Sequence, residues 1–216
     1  MATYEEHAKN ELTHGLGYGV VFTDRKGTTA GVPIAGLRAI DTENNQENVN
    51  FYAGFTAPYR TIAGALKREI TVKSYDLPDE FAVHALGFGK VNFGSDTFLV
   101  DDTTAYKAYG FAYAERYRDD DNTGYKVTFY PSVQATTPSD SAQADEESPT
   151  GKEYEHKATI TASDFVLDKK ARLLVKFAVT DEELTTGTSK KALVFAKMFN
   201  ELKAPQPADF GEGVGG

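Results

Sequence analysis

The chain has 216 residues, of which 40% are hydrophobic and 25% charged, values typical of one ordinary globular domain. It has no cysteine, which excludes disulfides, thiolate metal sites and cysteine nucleophiles. Its net charge of −9 is the opposite of what a protein that grips nucleic-acid phosphates shows. Residues 1–15 lack the basic and apolar segments of a signal peptide, and no apolar run approaches the ~20 residues of a membrane span, so we expect a soluble protein.

The first third of the chain predicts short strands and a loop. Residues 1–17 are polar and end in "HGLGYG", which indicates a flexible arm. Short strands are expected at 18–23 and 32–40, followed by a loop at 41–59 that is rich in Asn and Gly. From residue 61 to residue 75 apolar and polar side chains alternate, which predicts a long strand with one face in water.

The segment "DLPDEFAVHALG" (residues 76–87) changes to a helical period. Asp76 can cap the helix, Pro78 fits its first turn, and Gly87 ends it. Leu77 and Phe81 fall on one face. We therefore predict one short helix that packs on a sheet.

Two aromatic segments with alternating side chains follow, at 108–117 and 125–133. Large side chains at 109, 111, 113 and 117 alternate with Ala and Gly at 108, 110, 112 and 114. Because burying one large side chain contributes roughly 1.5–3 kcal/mol, the aromatic face is expected to anchor the core. The Ala and Gly face leaves room for a helix or a second layer to approach closely.

The remaining segments complete a mainly β prediction. Strands are expected at 154–163 and 172–180, an ambiguous helical segment at 190–202, and a flexible tail at 203–216. The predicted fold is an antiparallel β-sandwich or small barrel with one short helix packed on it. One domain at 18–202 would carry a long, flexible acidic loop at 135–153, whose sequence "ATTPSDSAQADEESPTGKE" is too polar to order itself.

The run "DDDNTG" (residues 119–124) raises the question of a calcium site. Gly124 matches the sixth position of an EF-hand loop, but Tyr130 stands where the bidentate Glu is required. A hairpin tip explains the same residues, since Asp, Asn and Gly favour tight turns. A weak cation site at Asp119–Asp121 remains the alternative.

No assembled catalytic or cofactor motif is present. The Gly-rich stretches "GLGYG" and "GFGKVNFG" complete no phosphate-binding motif, and the chain has no Gly-x-Ser-x-Gly elbow. The four His are dispersed. We predict no catalytic residue, no metal site and no cofactor, and an enzyme would need a pocket of converging carboxylates.

Two stretches of the chain, "YDLPDEFAVHALGFG" and the region from "AYGFAYAERYRDDDNTG" to "HKATITAS", resemble a known family. The order of the Leu77, Pro78 and Phe81 helix, the aromatic strand, the charged tip and the acidic linker is similar to that of the major tail proteins of long, non-contractile-tailed phages of Gram-positive bacteria. The resemblance extends over residues 18–199.

The resemblance implies a structural virion protein, made in the bacterial host cytoplasm, that forms stacked hexameric rings as an acidic conduit for DNA. Its implied partners are copies of itself, the tape measure, tail terminator and baseplate proteins, and passing DNA without sequence-specific binding, with no membrane. The expected subunit-interface residues are Val49, Phe51, Tyr52, Phe55, Pro58, Tyr59, Thr136, Pro138, Asp145, Glu146 and Glu147. The alternative is a β-sandwich binding module for carbohydrate or Ca²⁺.

Overall fold

The protein was examined as a computed structural model, which describes residues 12–46, 48–52, 60–63, 67–101, 106–136 and 153–211. Its strands are β1 (Leu12–Phe22), β2 (Val32–Pro33), β3 (Leu37–Asn45), β4 (Asn48–Phe51), β5 (Arg60–Ala63), β6 (Lys67–Ser74), β7 (Phe88–Phe93), β8 (Asp96–Asp101), β9 (Tyr109–Arg118), β10 (Thr123–Ala135), β11 (Tyr154–Ile160), β12 (Val166–Leu167), β13 (Lys170–Ala171) and β14 (Val175–Thr180). Its helices are α1 (Asp79–Ala85), α2 (Asp181–Thr186) and α3 (Lys190–Phe199), with a 3-10 helix at Pro207–Phe210. The fold is mainly antiparallel β, as the sequence predicts.

The main sheet has the strand order β2-β1-β9-β10-β11-β6-β3. Strand β14 also pairs with β10. Along one edge of β10, the first half pairs with β14 and the second half pairs with β11. The sheet curls until its two ends approach each other. Leu37 of β3 packs against β1, where its side chain leaves no room for a Cβ at Gly19. The result is barrel-like.

Strand β9 sets the shape of this sheet through its alternation of large and small residues. On one face Ala112 lies between Val20 of β1 and Phe129 of β10, and Ala114 lies between Tyr18 and Val127. On the other face Phe111 lies opposite Tyr130 of β10. Each face therefore combines large and small side chains, as close packing requires.

The inside of the curl holds the first core. Tyr109, Phe111 and Tyr130 are buried there with aliphatic residues of β6 and β11. Helix α1 closes this core with Phe81, whose ring lies 5.1 Å from that of Tyr109 in an edge-on contact. The aromatic anchor and the short helix are confirmed. The expected cap is wrong, because the helix begins after Pro78 with no side-chain cap, so Asp76 does not cap it.

The second core lies on the Ala and Gly face of β9. Helix α3 packs here with Phe195, Met198 and Phe199 buried against Ala112 and Ala114. This confirms that the small residues of β9 admit a helix. The 190–202 segment, ambiguous in the sequence, is helical up to Phe199 because its apolar face is buried here.

Ordered structure extends into both ends that the sequence predicts to be flexible. Strand β1 starts at Leu12 rather than at 18, because its first residues pair with the end of β9. Residues 203–211 are not a free tail, since Ala204 is buried and Phe210 makes an edge-on contact with Phe165 at 5.8 Å. Lys197 and Asp209 form an ion pair at 2.6 Å that fixes this segment to α3.

Several other expectations change in detail. The loop expected at 41–59 contains the end of β3 and all of β4. The single strand expected at 61–75 is described as β5 and β6, with residues 64–66 outside the described ranges. Helix α2 was not expected. It begins at a capping box formed by Thr180 and Glu183 and ends at Gly187, which has φ 64°.

One buried group carries an electrostatic cost. His156 of β11 is 2% exposed, lies 5.0 Å from the Phe81 ring, and has no hydrogen-bond partner at either ring nitrogen among the described residues. Burial lowers the pKa of His156 from 6.5 to about 4. The folded protein therefore holds this side chain neutral.

The stability of the fold should consequently fall in mild acid. Between pH 6.5 and about 4 the unfolded chain binds a proton at His156 that the folded chain does not bind, so the free energy of unfolding decreases as the pH is lowered. The expected loss is roughly 3 kcal/mol over that window. Urea unfolding at several pH values measures it. H156L should remove this contribution, whereas H14Q, at an exposed histidine, should keep the wild-type pH dependence.

Gly124 provides a test of the β9–β10–β14 junction. It pairs with Tyr117 and with Thr180, and a Cβ there would lie 2.1 Å from the Val179 carbonyl oxygen. G124A should therefore cost more than about 2 kcal/mol, because backbone must move. At Gly110 an added Cβ meets side chains at 3.4 Å or more. If thermal unfolding shows that G124A and G110A lose the same stability, the register of β9, β10 and β14 at Gly124 is wrong.

Candidate functional site

Besides the two-residue pair of β12 with β13, two longer antiparallel ribbons stand outside the main sheet in the described part of the chain. Strands β4 and β5 form one of them, and β7 and β8 form the other. A two-stranded hairpin is marginally stable by itself in water. The side chains on these ribbons therefore indicate which surface is available for further contacts.

The β7–β8 ribbon is apolar on one face. Residues directly opposite in an antiparallel pair share a face. Val91 lies opposite Phe98, and Phe93 lies opposite Asp96. The Phe93 and Phe98 rings touch edge-on at 5.8 Å, yet the residues are 68% and 50% exposed. The other face is mixed, with Lys90, Leu99, Asn92 and Thr97.

The β4–β5 ribbon repeats this arrangement. Val49 pairs with Ile62 in the register, and Phe51 lies opposite Arg60. Ile62 is two residues from Arg60, so Phe51, Arg60 and Ile62 share one face. Phe51 and Ile62 are about half exposed. The opposite face is polar, since the Thr61 hydroxyl donates to Asn50 Oδ1 at 2.8 Å. The two ribbons thus present two separate apolar faces to solvent.

The structure places only some of the predicted interface residues. Phe51 and Tyr52 are exposed, and Val49 is the β4 residue that pairs with Ile62 of β5. Thr136 is exposed, and its N–H and hydroxyl both donate to the Lys157 carbonyl. Phe55, Pro58, Tyr59, Pro138, Asp145, Glu146 and Glu147 lie outside the described residues. The assignment of these residues to an interface stays a prediction.

Sequence reasoning missed the β7–β8 ribbon. The start of the stretch "VNFGSDTFLV" belongs to "GFGKVNFG", which by sequence alone is only an incomplete phosphate motif. Two apolar runs around the Gly94-Ser95 pair are the signal that could have found it. Gly94 has φ 64°, which this tight turn requires.

The acidic tip at 119–124 is a turn held by its own side chain. Asp119 Oδ1 accepts hydrogen bonds from the N–H groups of Asp121, at 3.0 Å, and Asn122, at 2.5 Å. The Asp119 N–H in turn donates to the Asn122 carbonyl at 2.9 Å. Within the described ranges no group of three or more His, Asp or Glu is arranged to hold a metal ion.

The other polar clusters have structural roles. Arg116 donates to both carboxylate oxygens of Asp181, at 2.7 and 2.5 Å, and Thr123 donates to the same carboxylate. These hydrogen bonds lower the pKa of Asp181, and the one from Arg116 has the largest effect. The contact joins the start of α2 to the β9–β10 hairpin.

A cavity with a partly polar lining also fits a structural role. It encloses about 300 Å³ between residues 23–26 and the 3-10 helix segment. The Asp24 carboxylate at its edge accepts from the N–H groups of Lys26, Thr28 and Thr29, and these contacts, led by the Thr28 hydroxyl, lower its pKa. That carboxylate is thus engaged in holding its own loop.

The comparisons with known proteins agree with the earlier resemblance. The family model described as phage tail tube protein matches residues 5–208. The matched range includes the main sheet, both ribbons and all three helices. A search of curated proteins finds no match. Among the described residues, no helix combines the length and the apolar character needed to cross a bilayer.

The Asp119 turn predicts the effect of single substitutions at the tip. D119A should lower the free energy of unfolding by about 1 kcal/mol, because two backbone N–H groups lose their acceptor. D120A, at an exposed neighbour, should have little effect. Thermal unfolding with and without Ca²⁺ measures both. A rise in Tm on adding millimolar Ca²⁺ that D119A abolishes would show that the tip is a cation site instead.

Proposed function

The chain belongs to the family of phage tail tube proteins, and on that premise we propose that it assembles into stacked hexameric rings forming the tube that delivers DNA into the host. It is a structural component of the virion tail and not an enzyme. The proposal concerns the arrangement of the copies, the contacts between them and the passage of DNA.

The observation that carries the proposal is the pair of exposed apolar ribbon faces. Contiguous exposed apolar surface rimmed by polar residues marks interaction sites. Copies with a net charge of −9 repel one another, so their contacts are most favourable where charge is sparse. The faces around Phe51 and Phe98 meet this condition, and they support contacts between copies.

The edges of the main sheet supply a second kind of contact. Among the described residues, β1 pairs with β2 only at Val20 and Val21, so its first half has an open edge on that side. Strands β3 and β14 each pair on one edge only within the described ranges. Open edges accept a strand from another copy. Strand addition at these edges would close a ring or join rings.

The acidity of the chain suits a conduit for DNA. A ring of six copies, each with a net charge of −9, would carry a total charge of −54 (6 × −9). Screening limits the repulsion of a DNA backbone to a distance of about 8 Å at physiological ionic strength. The charge therefore acts at short range and keeps passing DNA from adhering, without sequence-specific contacts.

Further contacts would lie in the segments that the sequence assigns to the interface. These are residues 49–59 and the acidic loop at 135–153, including Thr136, Pro138, Asp145, Glu146 and Glu147. Partners in the same virion would be the tape measure, tail terminator and baseplate proteins. A variant that lacks residues 137–152, compared with the wild type in an assembly assay, tests whether the loop takes part in assembly.

Self-assembly is the central test of the proposal. The purified chain should form rings or hollow tubes in negative-stain electron microscopy and sediment faster as its concentration rises. F51S combined with I62S should raise the concentration for half-maximal assembly at least tenfold, since buried aromatic contacts dominate interfaces.

The matched control is V166S, which changes a 40% exposed residue outside both ribbons. It should assemble like the wild type, and all three proteins should unfold at similar temperatures. A wild-type chain that stays monomeric at every concentration would contradict the proposal. If the F51S/I62S protein assembles normally, the β4–β5 ribbon does not form a contact between copies.

A further inference from the structure

Another apolar surface lies between β14, α3 and the 3-10 helix. It is a cavity of about 190 Å³. Its apolar lining consists of Val175, Phe177, Val194 and Phe210. Three exposed lysines, Lys176, Lys190 and Lys191, line the same cavity. An apolar cavity with a basic rim fits an apolar group that carries a negative charge beside it.

The fold itself does not account for these lysines. Among the described residues, none of the three forms an ion pair with a carboxylate. Lys190 and Lys191 occupy the first turn of α3, where the helix dipole favours negative side chains. Their placement therefore costs the helix some stability, and the rest of the chain is acidic.

The tip of the β7–β8 ribbon has the complementary chemistry. Phe93 and Phe98 are exposed on one face, and Asp96 lies directly opposite Phe93 on that face. A cavity of ~150 Å³ accommodates a benzene ring, so the space between β14 and α3 is large enough for one phenyl side chain. The carboxylate of Asp96 would then lie beside the basic rim.

We propose that the β7–β8 tip of one copy inserts Phe93 or Phe98 into the lysine-rimmed cavity of the next copy, with Asp96 facing Lys190 and Lys191. This inference rests on the proposed self-assembly and names one of its contacts. Within one chain the two surfaces are apart, because no ribbon residue lines the cavity and Phe93 is 68% exposed. The occupant must therefore come from another molecule.

Such a contact has a direction. A tip on one side and a cavity on the other make a heterologous interface, which closes into a ring or continues as a filament. The charged pair fixes the orientation and rejects wrong pairings more than it adds affinity. Each copy gives one tip and receives one.

Complementary variants test this direction. F93S/F98S removes the tip and keeps the cavity, and K190E/K191E reverses the rim and keeps the tip. Each variant alone should need at least a tenfold higher concentration to assemble through this contact. An equimolar mixture should form 1:1 dimers in native mass spectrometry at concentrations where neither variant alone associates, because one intact tip and one intact cavity remain and no further copy can be added through this contact.

K169E/K170E is the matched control for charge. It makes the same change in net charge at two exposed lysines away from the cavity, and it should assemble like the wild type. Circular dichroism and thermal unfolding should show that all variants are folded. If the wild type assembles and both tip and rim variants assemble equally well, this inference is wrong while the proposed function stands.

A charge exchange and a cross-link locate the contact. D96K should weaken assembly and D96K with K191E should restore it at least partly. Because the chain has no cysteine, D96C mixed with K191C gives a clean disulfide test between copies. If both the charge rescue and the cross-link fail, the proposed contact is wrong. The same result is expected if residues 212–216 of the same chain, rather than a second copy, fill the cavity. A wild-type chain that remains monomeric counts against the proposed function as well.

Discussion

The structure depends on the alternation of side-chain size along β9. Ala112 and Ala114 are flanked across the sheet by Val20 and Tyr18 on one side and by Phe129 and Val127 on the other. Because the central strand is small on this face, α3 can bury Phe195 and Met198 against it. The large residues of β9 point into the curled side of the sheet and anchor the other core. One strand thus serves two cores, and both are lost if its register shifts by one residue.

Sequence reasoning was most successful where this periodicity is long. The aromatic strand, the short helix around Phe81 and the room on the small-residue face are all confirmed. It was less successful where a segment is held by distant partners. Leu12 belongs to a strand because β9 extends to meet it, and Phe210 is ordered by the ring of Phe165. Those partners lie roughly 45 to more than 100 positions away in the sequence, and no local pattern reports them.

Other features were missed although a local signal existed. Helix α2 begins with the Thr180 and Glu183 capping pair and ends with Gly187, a short but complete pattern. The β7–β8 ribbon shows two apolar runs around a Gly-Ser pair. The amphipathic character of either ribbon, however, needs the register, since it depends on which residue faces Phe98 or Ile62 across the pair. The family was correctly identified from the order of elements, whereas the surfaces that copies would use required coordinates.

Strand β10 changes its neighbour partway along its length. Up to Phe129 it pairs with β14, and from Val133 it pairs with β11. Pro131 lies in the gap between these two ladders and has no N–H to leave without an acceptor. Next to it, the Ser132 carbonyl accepts from the Thr161 N–H at 3.0 Å, so the strand stays attached while it switches. Proline at this branch therefore lets a single continuous strand pair with two successive partners along one edge, and any other residue there would introduce an amide hydrogen requiring a new acceptor.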